Sequence, residues 1–445
     1  MTGSLTRNIA YLALILQFLW PRYLFFQVAG KGVSGFTLVA MGLLATALAS
    51  LVIRHRFRQS VFAGLVRSKL LLICFVAWWF WRLLSDLTVG SGGAAFTTVM
   101  DFLYLGSWLI SGVIIFADPR IRAALPHAIA ISVFAATLVG IVEYLTGTPI
   151  ARMLGLANQS QMLNQYTVEL ARGGATRVRS IFTHPIVYGQ VMAAMTPFAL
   201  AFVLAGRIGG KVVGLLMIGA IVLSLIMCNA RSPVIVMAIA IACFFATYLF
   251  DLRRPVRLFF AMIGLIAAVG ATPIVVASVA ELQSGRTSEE AGSTAARTIQ
   301  MDRGTSALRD SPLMGYGSDS AGEYASTSNA GRVTVDNYLL TVAVESGYVG
   351  LTLFLLMLIA IGRQGLRAIY STPENRPRTL NCAALAATIG LASGLTVISI
   401  TDTLSIMFLL AGYLAAASGA PVVARRARAA EARAAGAADA ASAPA

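Results

Sequence analysis

The sequence predicts an all-α, polytopic membrane protein with about twelve transmembrane helices and a large external loop. Three observations lead there. Hydrophobic residues make up 58% of the 445 and charged residues only 12%, with mean hydropathy +0.78, whereas soluble domains carry about 25% charged residues. The apolar residues gather in runs close to the ~20 residues that a helix needs to cross the hydrocarbon core. The basic residues, finally, cluster in alternate gaps between those runs. This composition excludes a disordered chain and a water-soluble enzyme.

Residues 1–145 hold five runs, at 8–28, 34–53, 70–90, 97–117 and 126–145. The first lacks a small-residue cleavage site and is followed closely by another run, so it reads as a retained anchor. A polar segment, 146–184, precedes four more runs within 185–280, at 185–206, 212–229, 233–251 and 258–280. The largest polar segment, 281–337, is rich in Ser, Thr, Gly and Arg. Its stretch 281–297 reads as loop and 298–309 as a short helix lying on the membrane. Three runs follow within 338–423, at 338–362, 379–400 and 404–423, before an Ala/Arg-rich tail at 424–445. No internal repeat is evident.

The net charge of +15 points to nucleic acid only in a soluble protein. In a membrane protein cytoplasmic loops collect Lys and Arg. Arg7, the 54–69 cluster, Arg120 and Arg122, Arg207 and Lys211, the 253–257 cluster, the 363–378 cluster and the tail arginines all fall in even-numbered gaps or at a terminus. Both termini are therefore expected in the cytoplasm, with 146–184 and 281–337 outside. The four cysteines (Cys74, Cys228, Cys243, Cys382) lie in or beside apolar runs without metal-ligand spacing. They read as small buried hydrophobes, with neither disulfide nor metal expected.

Thirteen cations oppose the charge bias: Arg22, Lys31, Arg82, Arg152, Arg172, Arg177, Arg179, Arg231, Arg286, Arg297, Arg303, Arg309 and Arg332. Anion binding is the functional reading, because guanidinium matches phosphate oxygens bidentately and keeps its charge when partly desolvated. Contact with lipid headgroups or loop acids is the plainer one. Arg177-Val-Arg179-Ser-Ile-Phe-Thr-His184-Pro185 leads into the sixth run, and His184 reads either as an acid or base or as a helix cap. Asn229-Ala-Arg231-Ser-Pro233 is so short a turn that Arg231 stays at the membrane surface. Arg297 is followed by Pro312-Leu-Met-Gly315-Tyr-Gly317. Val335-Asp336-Asn337-Tyr338-Leu-Leu then leads to Glu345-Ser-Gly347-Tyr-Val-Gly350. Asp336 reads as an N-cap or as a general base for an attacking hydroxyl. Acids near the membrane plane (Asp86, Asp101, Glu143, Asp402) are costly there. Arg82 and Asp86 lie four apart and are placed to pair along one helix face. Asp101 and Glu143 have Arg82 or Arg231 as alternative partners.

The order of these motifs resembles the bacterial O-antigen ligase/polymerase superfamily, most closely from Arg177 to Gly350. The resemblance implies a GT-C-like membrane glycosyltransferase fold in the inner membrane, working at the periplasmic face without metal or cofactor. The donor would be a glycan on undecaprenyl diphosphate, whose anomeric carbon an acceptor hydroxyl attacks with inversion. On this reading Asp336, Arg231 and Arg297 are catalytic. Arg177, Arg179, His184, Arg303, Arg309, Asn337 and Tyr338 bind substrate, and the spans hold the polyprenyl chain among membrane lipid. The ligase branch, which moves glycan to lipid A core, carries His-Asn where this chain has Asp336-Asn337; polymerase-like members often have Asp-Asn. The expectation is therefore a polymerase of O-antigen or exopolysaccharide repeat units, served by an acceptor glycan and a chain-length regulator. A ligase is the alternative, and a lipid-linked sugar transporter or a peptidoglycan-type elongase more distant ones.

Overall fold

The computed structural model describes residues 2–21, 24–28, 31–53, 55–89, 92–154, 171–172, 175–249, 288–329, 332–373, 375–399 and 401–419. The helices, in order, are α1 (Thr2–Leu19), α2 (Gly35–Ile53), α3 (His55–Arg67), α4 (Lys69–Thr88), α5 (Gly92–Asp101), α6 (Ser107–Ile115), α7 (Pro119–Thr146) and α8 (Ile150–Met153). They continue as α9 (Pro185–Ala194), α10 (Thr196–Ala205), α11 (Ile208–Cys228), α12 (Ser232–Leu249), α13 (Ser288–Asp310), α14 (Ala321–Ala325), α15 (Tyr338–Ser371), α16 (Asn375–Gly394) and α17 (Asp402–Gly419). A π-helical turn, Phe102–Gly106, joins α5 to α6. Strands among the described residues form three two-stranded antiparallel ribbons in the connections.

Eight of the described stretches are long and apolar enough to cross a membrane: Lys69–Thr88, Gly93–Ile115, Pro119–Thr146, Pro185–Ala205, Ile208–Cys228, Ser232–Leu249, Tyr338–Ser371 and Asp402–Gly419. Arg7–Leu19 and Thr37–Val52 are shorter apolar helices. Ten of the expected runs are thus apolar helices. The run at 379–400 coincides mostly with α16, whose first turns carry Asn375, Arg376, Arg378 and Asn381 and dilute its hydropathy. The run at 258–280, the tail 424–445, and Arg22 and Arg286 lie outside the described residues. The polar segment after 281 differs from expectation. Ser288–Asp310 is one continuous helix, so residues 288–297 are not loop. Arg309 in its last turn complements the helix dipole.

The core forms around α17, whose apolar window is wholly buried. Small residues let its backbone approach neighbours: a Cβ on Gly412 would stand 2.7 Å from the Leu109 carbonyl oxygen of α6. Close backbone contact of this kind is how helices associate where lipid removes the hydrophobic drive. Phe75, Trp78 and Phe354 fill the contact between α4 and α15, with Phe408 of α17 packed edge-on to Phe75. α13 lies against the start of α15, at the end of the bundle that the charge pattern assigns to the outside.

Candidate functional site

The site is built around the two ends of a broken helix. α15 begins where Asn337 caps it, accepting hydrogen bonds from the backbone N–H groups of Leu339 (2.9 Å) and Leu340 (3.3 Å). The cap is thus Asn337 and not Asp336, which was one of the two readings of that acid, and the Asp336 side chain takes no part in capping. It faces Arg297 of α13, with Oδ2 3.8 Å from Nε, and the two side chains are 34% and 48% exposed. The Asp336 backbone N–H donates to Gln300 Oε1 at 2.9 Å, one turn along α13 from Arg297. Partial burial pushes the Asp336 carboxyl above its ordinary range, and the neighbouring Arg297 opposes this. A carboxylate with raised proton affinity beside a guanidinium has the properties of a general base next to an anion-binding group.

α15 breaks at Gly347, where φ is 69° and ψ −176°. A Cβ there would lie 2.1 Å from the Leu313 carbonyl oxygen, so only glycine fits. The break exposes carbonyls that the Pro312–Gly317 loop satisfies. Tyr316 N–H donates to the Val344 carbonyl and Gly317 N–H to that of Glu345, each at 2.9 Å, and Tyr348 N–H donates to the Pro312 carbonyl at 2.8 Å. Gly315 and Gly317, with φ of 72° and 85°, turn the loop back onto the helix. The Gly-Tyr-Gly motif is therefore the seat for the Glu345-Ser-Gly347 break, a relation hidden by the 27 residues between Gly317 and Glu345.

Arg82 of α4 lies beneath this loop, 5% exposed. It does not pair with Asp86 along its own helix as expected. Its Nη2 is 3.3 Å from Asp101 Oδ2 and 3.3 Å from Glu345 Oε2, and donates to Ser318 Oγ at 3.1 Å. Asp86 instead accepts from the Ser318 backbone N–H at 2.7 Å and from its hydroxyl at 3.2 Å.

On the other side of the bundle the segment before α9 runs beside the end of α11. Val178 N–H donates to the Met227 carbonyl at 3.1 Å, and Arg177 Nε to the Cys228 carbonyl at 3.3 Å. Arg177 is thus held against the turn that carries Arg231, which is exposed. Arg179 is buried, and its backbone N–H (3.3 Å) and that of Ser180 (2.7 Å) donate to Glu143. Glu143 therefore serves to order this segment. His184 is the N-cap of α9, its Nδ1 accepting from the Ile186 N–H at 3.1 Å, with Pro185 at the first helical position.

The connector between α16 and α17 ties the two halves. The Ser399 hydroxyl donates to the Val335 carbonyl, one residue before Asp336. Tyr338 N–H donates to the Leu395 carbonyl at 2.9 Å. Asp402 accepts from Thr183 Oγ1, next to His184, at 2.6 Å, and from the Tyr104 hydroxyl of the π-helical turn at 3.4 Å. The structure hence joins Arg297 with Asp336, and Arg177 with the Arg231 turn, and links both sets through Leu395, Ser399 and Asp402. Arg303 and Arg309 are exposed farther along α13, with Arg303 donating to the Ser326 carbonyl at 2.7 Å. Tyr338 is buried with its ring edge-on to Phe354. Gln300 and the Arg82 cluster belong to the site's framework without having been assigned to it from sequence. Arg82 and Glu345 are charges in apolar runs, which was the available signal; Gln300 gives none.

Residues 212–355 match the family model described as O-Antigen ligase. No curated protein matches the chain. The matched segment contains Arg231, Arg297, Asp336, Asn337 and the Gly347 break, whereas Arg82, Arg177 and His184 precede it. The match supports the O-antigen ligase/polymerase superfamily for this chain and a function of that type.

Proposed function

We propose that this O-antigen ligase/polymerase-type chain polymerises surface polysaccharide repeat units at the periplasmic face of the bacterial inner membrane, with both of its termini in the cytoplasm. It transfers glycan from an undecaprenyl-diphosphate donor to a sugar hydroxyl of the acceptor. The observation that carries this reading is the Arg297–Asp336 pair: a carboxylate of raised proton affinity, released from helix capping by Asn337, beside a half-exposed guanidinium.

In the transfer, the acceptor hydroxyl oxygen bonds to the donor's anomeric carbon from the face opposite the diphosphate. The bond from that carbon to the phosphate oxygen breaks, and its electron pair leaves with the lipid diphosphate. Asp336 takes the hydroxyl proton. Arg231 and Arg297 face the negative charge that grows on the leaving diphosphate, which is where fixed cations lower a barrier most. Arg177, anchored at the Arg231 turn, adds to that electropositive surface, and Arg303 and Arg309 extend it along α13 towards the longer glycan. Arg179, His184, Asn337 and Tyr338 shape the walls through backbone order. The polyprenyl tail stays in lipid between spans, and a chain-length regulator is the proposed protein partner. The chemistry calls on no metal or cofactor.

The family description favours a second reading, transfer of finished polymer to lipid A core. Deleting the gene and separating surface glycans by gel distinguishes the two. A polymerase leaves core bearing a single repeat unit. A ligase leaves bare core with polymer stranded on the lipid carrier. An unchanged glycan pattern contradicts both.

A further inference from the structure

We propose that Arg82 is a positioning residue that fastens the break in α15 and so sets where Asp336 is presented to substrate; the catalytic half of this inference rests on the function proposed above. The break leaves three carbonyls, those of Val344, Glu345 and Ser346, outside a regular helical ladder. α4 supplies partners for two of them. Ser85 Oγ divides its one hydrogen between the Met314 carbonyl at 2.5 Å and the Glu345 carbonyl at 3.1 Å, and Trp81 Nε1 donates to the Ser346 carbonyl at 2.9 Å. The Glu345 side chain adds the charged part: Oε1 accepts the Asp319 N–H at 3.1 Å, and Oε2 meets Arg82 Nη2 at 3.3 Å.

One guanidinium nitrogen thereby joins Asp101 at the end of α5, Ser318 of the loop and Glu345 of α15. The guanidinium carbon lies over the neighbouring rings of Trp78 and Trp79, 5.5 and 5.4 Å from their centroids. Asp86 reaches the same knot through Ser318. Burying a charge network of this kind contributes little stability over apolar packing of the same volume, because desolvation offsets the attraction. What it does fix is geometry, since Arg82 meets all its partners in one arrangement.

The lever from this knot to the reacting carboxylate is short and stiff. Asp336 lies nine residues before Glu345, or about 13 Å at the 1.5 Å helical rise. A tilt of about 5° at the knot would shift the Asp336 carboxylate by roughly 1 Å, enough to cost on the order of 100-fold in rate. Neither Arg82 nor Glu345 needs to touch the donor for this to hold.

The test compares Arg82→Gln, Arg82→Lys and Trp81→Phe with wild type in membranes, using a glycan-bearing undecaprenyl diphosphate as donor and Asp336→Asn as the inactive control. Rates are normalised to folded protein by gel filtration. Arg82→Gln is expected to lower kcat by ~10- to 100-fold with donor KM within about twofold, and Arg82→Lys to recover part of the loss. Trp81→Phe removes one hydrogen bond at the break and keeps an aromatic ring; it carries the same prediction at about 3- to 10-fold if Arg82→Gln does not accumulate. Wild-type specific activity in either variant, or a loss confined to KM, overturns the proposal.

An arm that does not depend on activity places nitroxides at exposed Leu87 of α4 and Ser306 of α13, with the four native cysteines replaced by alanine. The distance distribution is expected to broaden in Arg82→Gln and Trp81→Phe; an unchanged narrow distribution overturns the positioning role. If wild type itself does not use the donor, the proposed function fails, and the distance measurement alone decides the role of Arg82.

Discussion

Replacing Asp336 by Asn keeps the size of the side chain while removing its charge and most of its proton affinity. The Arg297 contact at 3.8 Å is worth about 4 kcal/mol of bare attraction at an effective dielectric near 20. Both partners are a third or more exposed, so solvent screening and side-chain entropy reduce its net contribution to stability to roughly 0.2–1 kcal/mol. The Asn337 cap and the Gln300 contact to the Asp336 backbone do not involve the carboxylate and persist. Folding is therefore almost unaffected, whereas loss of a general base costs ~100- to 10,000-fold in rate. That corresponds to about 2.7–5.4 kcal/mol of barrier at 1.36 kcal/mol per decade. Initial rates of chain extension, measured in membranes with matched amounts of folded protein, test this. Asp336→Asn within about fivefold of wild type would refute the assignment of Asp336 as base.

Arg231→Ala removes the guanidinium proposed to face the leaving diphosphate and is expected to lower kcat/KM by ~100-fold or more, with partial retention in Arg231→Lys; equal activity of all three proteins in the same assay contradicts its role. With Asp336 as the proposed base, activity is expected to rise with pH through a value that burial places above the ordinary ~3.9. Arg297→Gln takes away the opposing positive charge and moves that acid limb to higher pH, and a pH–rate profile shifted the other way contradicts the pairing. Gly347→Ala forces a Cβ against the Leu313 carbonyl in a backbone region suited only to glycine, costing ~1–3 kcal/mol from the dihedral alone. A thermal melt in detergent identical to wild type would contradict that reading of the break. Asn337→Ala leaves two backbone N–H groups without their cap, for an expected loss of ~0.5–2 kcal/mol in the same melt.

The membrane fold was legible because hydropathy is a property of continuous segments: ten of the apolar runs are apolar helices among the described residues. The helix Ser288–Asp310 was only half legible, since a polar helix without apolar periodicity looks like loop, and its order comes from packing on α15. Within the site, the His184 cap was readable from the following proline, and Arg297 and Asp336 from their motifs. Their pairing was not, because it depends on how α13 lies across the start of α15. Of the two partners open to Arg82, Asp86 and Asp101, the structure takes Asp101 and adds Glu345, for the same reason. Spacing along α4 favours Asp86, but Glu345 and Asp101 arrive from other helices and Ser318 draws Asp86 away. The cap expected at Asp336 falls one residue later, at Asn337, because residue type suits both and only the turn geometry decides between neighbours.

Glycan transfer at the Asp336–Arg297 site is tested most directly by extension of a lipid-linked repeat unit by the purified protein in liposomes. Wild type is expected to build a ladder of longer glycans on undecaprenyl diphosphate, with Asp336→Asn leaving the starting unit unextended. A ladder of equal length from both proteins would contradict the account.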